Sequence, residues 1–411
     1  MQKTILHHAF APIAMNAGIT IVFPDGWRIG HATPVVRFCS WRDVIRIMAN
    51  PSLGFAEAWG HRRISIDDGD LPEVITRMMT PGVHCGLPVT TRGLVRLRQM
   101  FSRLTEGRTP RQSRRNVHHH YDLGNDLYAL FLDEDWQYSC AYFDEPGISL
   151  DEAQFRKKDH IARKLQLDGN QRVLDIGCGW GGLALHLSRL AQSVAGITLS
   201  EEQLKLARQR VAETNAPVDL DLRDYRKETR RFDRVVSVGM LEHVGRGHLA
   251  SFFRHVSRCL EDDGVALIHT IGRIGPPAPT DSFISKYIFP GGYLPSLSEL
   301  NEAIEATDLA IADTETLFLH YAETLKHWRQ RFMGNREKAV MLYDEFFARI
   351  WELYLAASEA SFRHGNIAVY QIQLLKPGAR RPLNRGYLYP ASGDPAPASF
   401  HEQGYSSLRK G

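Results

Sequence analysis

The residues most able to do chemistry stand in three places. An apolar run, Val173-Leu174-Asp175-Ile176, breaks into Gly177-Cys178-Gly179-Trp180-Gly181-Gly182 and opens a helix expected over 183–190. Glycines at that spacing let backbone come within contact of a ligand lying at a helix N-terminus. A G-x-G-x-G pattern alone is also what a tight turn needs, so the strand before it and the helix after it carry the weight. Glu242 follows a second apolar run, 234–238, and His269 stands in a third, 265–270. If both runs are strands of one doubly wound sheet, their side chains share the edge where ligands sit, outside the strands' carboxyl ends. Taken singly, Glu242 capping a turn and His269 as a hydrogen-bonded core histidine are equally good readings. Together they read as a functional pair. Cys140 has no adjacent base in the sequence, so a pocket wall suits it better than a covalent nucleophile. His118, His119 and His120 are consecutive and cannot all face one ion on ordinary backbone, so no metal site is expected.

These groups need a frame to hold them. From residue 171 onward the chain alternates apolar runs with amphipathic segments, the form of a mainly parallel sheet covered on both faces. Strands are expected at 172–176, 193–197, 219–223, 234–238, 265–270, 310–316 and 367–375, the last two as an antiparallel finish. The first eighty residues are denser in short runs. There 19–23 and 27–29 flank Pro24-Asp25-Gly26 as a hairpin, and Trp41, Val44, Ile45, Ile47 and Met48 recur at helical spacing up to Asn50-Pro51. The fold class is therefore α/β, with a smaller N-terminal α+β domain. The expected borders are 1–90 for the small domain, 91–115 for a basic helix and linker, 116–377 for the catalytic domain and 378–411 for a mostly disordered tail. Tyr321, Leu325, Trp328 and Phe332 recur at helical spacing and read as core or as a pocket wall.

Composition narrows the class. A chain of 411 residues, 43% hydrophobic and 24% charged, has material for two domains and is neither disordered nor collagen-like. Fifty Lys plus Arg against 47 Asp plus Glu leave +3, too little to argue for nucleic acid. Five scattered cysteines without a C-x-x-C imply neither disulfides nor a zinc knuckle, and the chain reads as cytosolic. His7, His8, Pro12 and Asn16 interrupt what would be a signal-peptide core, and no apolar run approaches the roughly 18 to 20 residues of a spanning helix. Membrane contact would be from the surface. Arg92, Arg96, Arg98, Arg103, Arg108, Arg111, Arg114 and Arg115 meet one acid, Glu106, which suits a solvated linker or an anionic surface. Only Phe101 could stack on a base there, so nucleic acid comes last.

The glycine turn, preceded by Leu174-Asp175, resembles motif I of S-adenosylmethionine-dependent methyltransferases. A nicotinamide site wants an acid about 20 residues on, where Ile197-Thr198-Leu199-Ser200 stands instead. Further segments in order are 117–126 with its His-His-His-Tyr-Asp, Gln137-Tyr138-Ser139-Cys140-Ala141-Tyr142-Phe143, the Gly196 to Gln203 stretch, and Met240-Leu241-Glu242-His243-Val244-Gly245. With Phe289-Pro290-Gly291-Gly292-Tyr293 and His320-Tyr321-Ala322-Glu323, they resemble the cyclopropane fatty acyl phospholipid synthases over about 116–376. Leu53-Gly54-Phe55-Ala56-Glu57-Ala58-Trp59 and Asp70-Leu71 look like those enzymes' N-terminal lipid-binding-like domain, with Gly60-His61 where the family has Asp-Gly.

The resemblance implies a class I methyltransferase Rossmann-like sheet and methylene transfer from S-adenosylmethionine to the cis double bond of an unsaturated acyl chain in a membrane phospholipid. It assigns Tyr138 and Ser139 to the methionine end of the cofactor. Asp175, Gly177 and Gly179 fall to the turn, Thr198, Leu199 and Gln203 to the ribose, and Asp224, Tyr225 and Arg226 to the adenine. Tyr225 as an ordinary strand-end aromatic stays an even alternative. Cys140, Glu242, His269, Ile271 and Tyr321 match the family's pocket for a bicarbonate ion, which serves as base. The implied place is the cytoplasm, at the inner face of an anionic membrane surface, with a homodimer left open and no nucleic acid partner. Competing readings are a methyltransferase that leaves a methyl or methylene branch, one that methylates an amine, and a lipid-binding protein without catalysis.

Overall fold

The computed structural model of the chain describes residues 3–83 and 124–389. Expectations about 92–115, about His118, His119 and His120, and about 390–411 lie outside them. The chain opens with α1 (Lys3–Ala17), β1 (Thr20–Val22), β2 (Arg28–Ile29), β3 (Val35–Phe38), α2 (Trp41–Ala49), α3 (Pro51–Gly60), β4 (Ile64–Asp67) and α4 (Leu71–Met79). The expected hairpin is β1 with β2, Ile21 opposite Ile29, inside a sheet ordered β2-β1-β3-β4. Ser40 caps α2 by accepting the Arg42 N–H, and Asp70 caps α4 by accepting that of Glu73. The rings of Phe10, Phe23 and Phe38 meet beside this sheet and bury its apolar face.

After α5 (Asn125–Ala129) and α6 (Leu150–Lys164) comes the larger sheet. Its strands are β5 (Arg172–Ile176), β6 (Ser193–Thr198), β7 (Val218–Leu222), β8 (Phe232–Val238), β9 (Leu260–Arg273), β10 (Ala310–Leu317) and β11 (Ile367–Leu375). Between them run α7 (Gly182–Leu187), α8 (Glu201–Thr214), α9 (Leu249–Cys259), α10 (Leu297–Glu305), α11 (Leu319–Gly334), α12 (Arg336–Leu342) and α13 (Glu345–His364). The order is β10-β11-β9-β8-β5-β6-β7, parallel from β9 to β7 and antiparallel between β10 and β11. All seven strand expectations are met, within a residue or two for most and with β9 longer than expected. Successive strand residues face opposite sides, and here each side has a core. Val173 packs with Leu183, Val194 and Leu204, whereas Leu174 packs with Val235, Phe252 and Ile268. That is why these strands read as continuous apolar runs. The chain lays β6 and β7 on one side of β5 and β8 and β9 on the other, so a switch point lies at β5.

Two compact units cut the sequence differently from the expected borders. Of the described residues, 3–83, 278–290 and 325–367 form one unit, and 124–277, 291–324 and 368–389 the other. In the first, α13 packs on α3 and α4. Arg349 donates to the Trp59 carbonyl at 2.7 Å with its guanidinium 3.7 Å above the indole, and Lys286 pairs with Glu57 at 2.7 Å. Periodicity shows that a helix has an apolar face; it does not show what covers it. A second correction concerns the tail. Residues 378–389 are packed: Ala379 and Leu388 are buried, Arg163 donates to the Leu388 carbonyl, and Tyr387 donates to Gln373 Oε1 at 2.8 Å. The Pro, Gly and Arg content hid two buried apolar anchors.

Candidate active site

The carboxyl ends of β5, β6, β7 and β8 open onto one pocket at the switch point, and all eleven residues expected around a cofactor line it. Gly177, at φ +88, turns the chain beneath Met240, which an added Cβ would meet at 3.0 Å. The N–H groups of Gly177 and Cys178 both donate to the Ile197 carbonyl and tie this turn, with Asp175 and Gly179, to β6. Gly182 must be glycine because a Cβ would lie 2.5 Å from Asp135 Oδ2 and Gln137 Nε2. At the end of β6, Thr198 Oγ1 accepts the Ser200 N–H at 3.2 Å, and Ser200 caps α8 by accepting that of Gln203, which places Thr198, Leu199 and Gln203 on the wall. Past β7, Asp224 accepts the Arg226 N–H and pairs with its guanidinium, closing a single tight turn. Tyr225 on that turn packs edge-on against Phe252 at 5.4 Å and still lines the pocket, so it is both a packed aromatic and a wall.

Tyr138 and Ser139 reach the opposite wall on a segment held by a buried ionic network. Lys157 Nζ donates to Gln137 Oε1 at 2.7 Å and to Ser139 Oγ at 2.9 Å, while Gln154 Nε2 donates to the Ser139 carbonyl at 2.9 Å. Lys158 and Arg210 clasp Asp135 from two sides. Lys157 and Lys158 are fully buried, and sequence reasoning missed both. A signal existed: Gln154, Lys157, Lys158 and Lys164 fall on the same stripe of α6 as Leu150, Ile161 and Leu165. Polar groups at core positions need partners. Trp136 was missed as well; it lines the pocket at φ +60, an uncommon conformation for a bulky residue, with its ring 5.6 Å from that of Trp180.

Asp175 Oδ2 is buried without a hydrogen-bond partner among the described residues. Burial lifts this carboxyl to about 7, with Lys157 pulling the other way. An unpaired acid beneath a glycine turn, with aromatic Tyr225 and acidic Asp224 at the far end, fits an amino-acid-bearing nucleoside such as S-adenosylmethionine.

The second set adjoins this pocket in sequence, Cys140 after Ser139 and Glu242 after Met240. Glu242 Oε1 accepts the Ile271 N–H at 2.6 Å, which joins the turn after β8 to β9. Its Oε2 is buried without a partner among the described residues, and burial raises the carboxyl to about 7. His269 lies opposite Val238 in the sheet register, and the Gly239 N–H donates to its carbonyl. Burial drives the imidazole down to about 3, helped by Lys157, Lys164 and His160, so it is neutral. Cys140 joins the start of α11, which carries Tyr321, through its neighbour: the Ala141 N–H donates to Thr324 Oγ1 at 3.0 Å. Burial pushes the Cys140 thiol far above its usual range, which fits a wall and not a nucleophile. All of Cys140, Glu242, His269 and Tyr321 are less than a tenth exposed. The arrangement offers a ligand pocket at the switch point and, next to its wall in sequence, a buried set that includes an acid and a neutral imidazole.

Known proteins place this arrangement. The family model described as mycolic acid cyclopropane synthetase matches residues 108–372. A tuberculostearic acid methyltransferase of Mycobacterium tuberculosis is 37% identical over 393 residues, 89% of each chain. A cyclopropane-fatty-acyl-phospholipid synthase of Escherichia coli is 36% identical over 328 residues, 80% of this chain and 84% of its own. Among solved structures, a mycolic acid cyclopropane synthase in complex with SAH superposes with a TM-score of 0.61 at 34% identity, covering 64% of this chain and 98% of that one. The glycine-turn pocket, the sheet order and these matches agree, and the chain belongs to the cyclopropane synthase family of S-adenosylmethionine-dependent methyltransferases.

Proposed function

We propose that this chain adds a methylene carbon across the cis double bond of an unsaturated acyl chain in a membrane phospholipid, forming a cyclopropane. The observation that carries the reading is the pocket at the switch point, whose wall residues Ser139 and Met240 are followed closely in sequence by the buried Cys140 and Glu242. S-adenosylmethionine supplies an electrophilic methyl group when bound. An alkene is a weak nucleophile, and the carbocation left by its attack would be trapped by water, so the surroundings must be dry. Buried Cys140 and Tyr321 serve that exclusion. Tyr138, Ser139 and Asp175 orient the methionine end, Thr198, Leu199 and Gln203 the ribose, and Asp224, Tyr225 and Arg226 the adenine. Ring closure then needs a base for a proton of the new methyl group. Glu242, with Oε2 unpaired and its carboxyl raised toward neutrality by burial, and the neutral His269 can each donate to a small anion, and with Cys140, Ile271 and Tyr321 they would hold a bicarbonate, which would supply that base.

Attachment to the lipid is proposed at an anionic membrane surface on the cytoplasmic side. Among the described residues no helix is long and apolar enough to cross a membrane. Met341, Leu342 and Tyr343 are consecutive and exposed at 77%, 44% and 36%, which supports a surface contact with apolar insertion. Mass spectrometry of lipids from cells expressing the protein tests the function: a gain of about 14 mass units with loss of the olefin signal is expected. The tuberculostearic acid relative favours a methyl branch as second reading. Ring-methylene resonances in the product lipid select the cyclopropane, and their absence selects the branch.

A further inference from the structure

The sheet holds a polar contact that the chemistry above leaves unused. Gln371, on β11 and fully buried, sets its Nε2 3.1 Å from His269 Nδ1. Its Oε1 has no hydrogen-bond partner among the described residues. Turning the amide over would satisfy that oxygen and leave a second buried N–H unmet instead, and orphaned N–H groups are rarer in proteins than under-used carbonyls. An amide N–H only donates, so Nδ1 accepts, and in a neutral ring the proton then sits on Nε2. Neutrality follows from the surroundings. Lys157, Lys164 and His160 on α6 oppose a charge on His269, and Glu315 on β10, directly across from Gln371, only partly offsets them. Nε2 itself has no hydrogen-bond partner among the described residues.

We propose that Gln371 is a positioning residue that locks His269 as its Nε2–H form, so that the imidazole acts beside Glu242 as a neutral hydrogen-bond donor. This deepens the cyclopropanation reading and rests on it. A ring in the other form would turn a lone pair toward the anion the site is built to hold and repel it. A charged ring would hand the anion a proton and spend its basicity. The amide avoids both, whereas a carboxylate at 371 would accept a hydrogen bond from Nδ1–H and so draw the ring proton to Nδ1.

Nitrogen-15 NMR of the full chain labelled on histidine reads the form directly, with the His269→Gln spectrum assigning the signals. The wild type should show Nε2 protonated and Nδ1 not. Gln371→Glu should move the proton to Nδ1 and lower kcat about tenfold or more, with KM for S-adenosylmethionine within about twofold. Gln371→Met, which cannot donate, should give mixed signals and an intermediate loss. A wild type protonated on Nδ1 overturns the proposal, and so does a switched proton with unchanged kcat. If Gln371→Glu fails to fold, the wild-type spectrum and Gln371→Met decide alone. Lipid products without a cyclopropane would sink the functional reading and leave the spectrum standing, so the two failures are distinguishable.

Discussion

Replacing Lys157 by methionine separates what this lysine does for the fold from what it does for the cofactor. Methionine fills similar space with no charge. The change removes two hydrogen bonds from an ionised donor, to Gln137 Oε1 at 2.7 Å and Ser139 Oγ at 2.9 Å. Each is worth about 1.5–3 kcal/mol, so about 3–6 kcal/mol is lost. Against that stands the desolvation of a fully buried ammonium, which depresses the Lys157 pKa and costs roughly several kcal/mol that methionine does not incur. The two nearly cancel, so global stability should move by only about 1–2 kcal/mol. Cofactor binding has no such compensation. Gln137 and Ser139 line the pocket, and without their tie each must be ordered on binding at about 0.5–1.5 kcal/mol. Affinity should therefore fall by about 1–3 kcal/mol, or about 5- to 150-fold. Calorimetry with S-adenosylhomocysteine, paired with thermal melts, measures both. Unchanged affinity in a folded Lys157→Met protein would refute the reasoning and reduce Lys157 to filler.

Four further outcomes are expected. Glu242→Gln should lower kcat about a hundredfold with cofactor affinity nearly unchanged, and equal loss of both by calorimetry and product assay would move Glu242 to the cofactor site. Burial raises Glu242 and Asp175 from ordinary values of 4.5 and 3.8 to about 7, so the folded state holds these protons more tightly than the unfolded chain. Their contribution to stability is thus full at low pH and is lost as pH rises toward about 7; Glu242→Gln and Asp175→Asn should gain more in Tm over wild type at about pH 8 than at about pH 5, and a pH-independent difference contradicts the burial argument. Activity should vanish in buffer stripped of carbon dioxide and return with bicarbonate, whereas full activity there makes a side chain the base. Binding to anionic vesicles should weaken with salt and weaken further in Met341→Ser/Leu342→Ser; if neither matters, the attachment lies elsewhere.

The strands of the large sheet were legible because each of their faces meets a core, which leaves an unbroken apolar signature in the sequence. The pocket wall was legible for a different reason: Gly177 and Gly182 stand where neighbouring side chains come too close for a Cβ, and such positions write themselves as glycine. The network under Tyr138 and Ser139 was not legible, since Lys157 and Lys158 look like any charged helix residues until their depth is known. The same holds for Gln371, whose meaning depends on His269, 102 positions away in the chain. The packed segment 378–389 was misread because two anchors, Ala379 and Leu388, were outvoted by their neighbours. Pairing across long separations is what a local reading of sequence cannot supply.

The threading of the first compact unit through three stretches of chain bears on how this protein can be cut. A truncated chain lacking the N-terminal stretch would resemble the shorter mycolic acid synthases in length, since their match leaves about a third of this chain uncovered. Helix α13 would lose α3 and α4, baring whatever apolar side chains those helices cover, together with the ring of Phe346 that now lies 4.6 Å from His61. Such a fragment is a sticky object, and its inactivity would report aggregation before it reported any role in lipid capture. Swapping the N-terminal stretch between relatives meets the same obstacle, because the partner faces on 278–290 and 325–367 would have to travel with it. Within this chain the small unit is built from three matched pieces, and a change to any one of them acts on the fit of all.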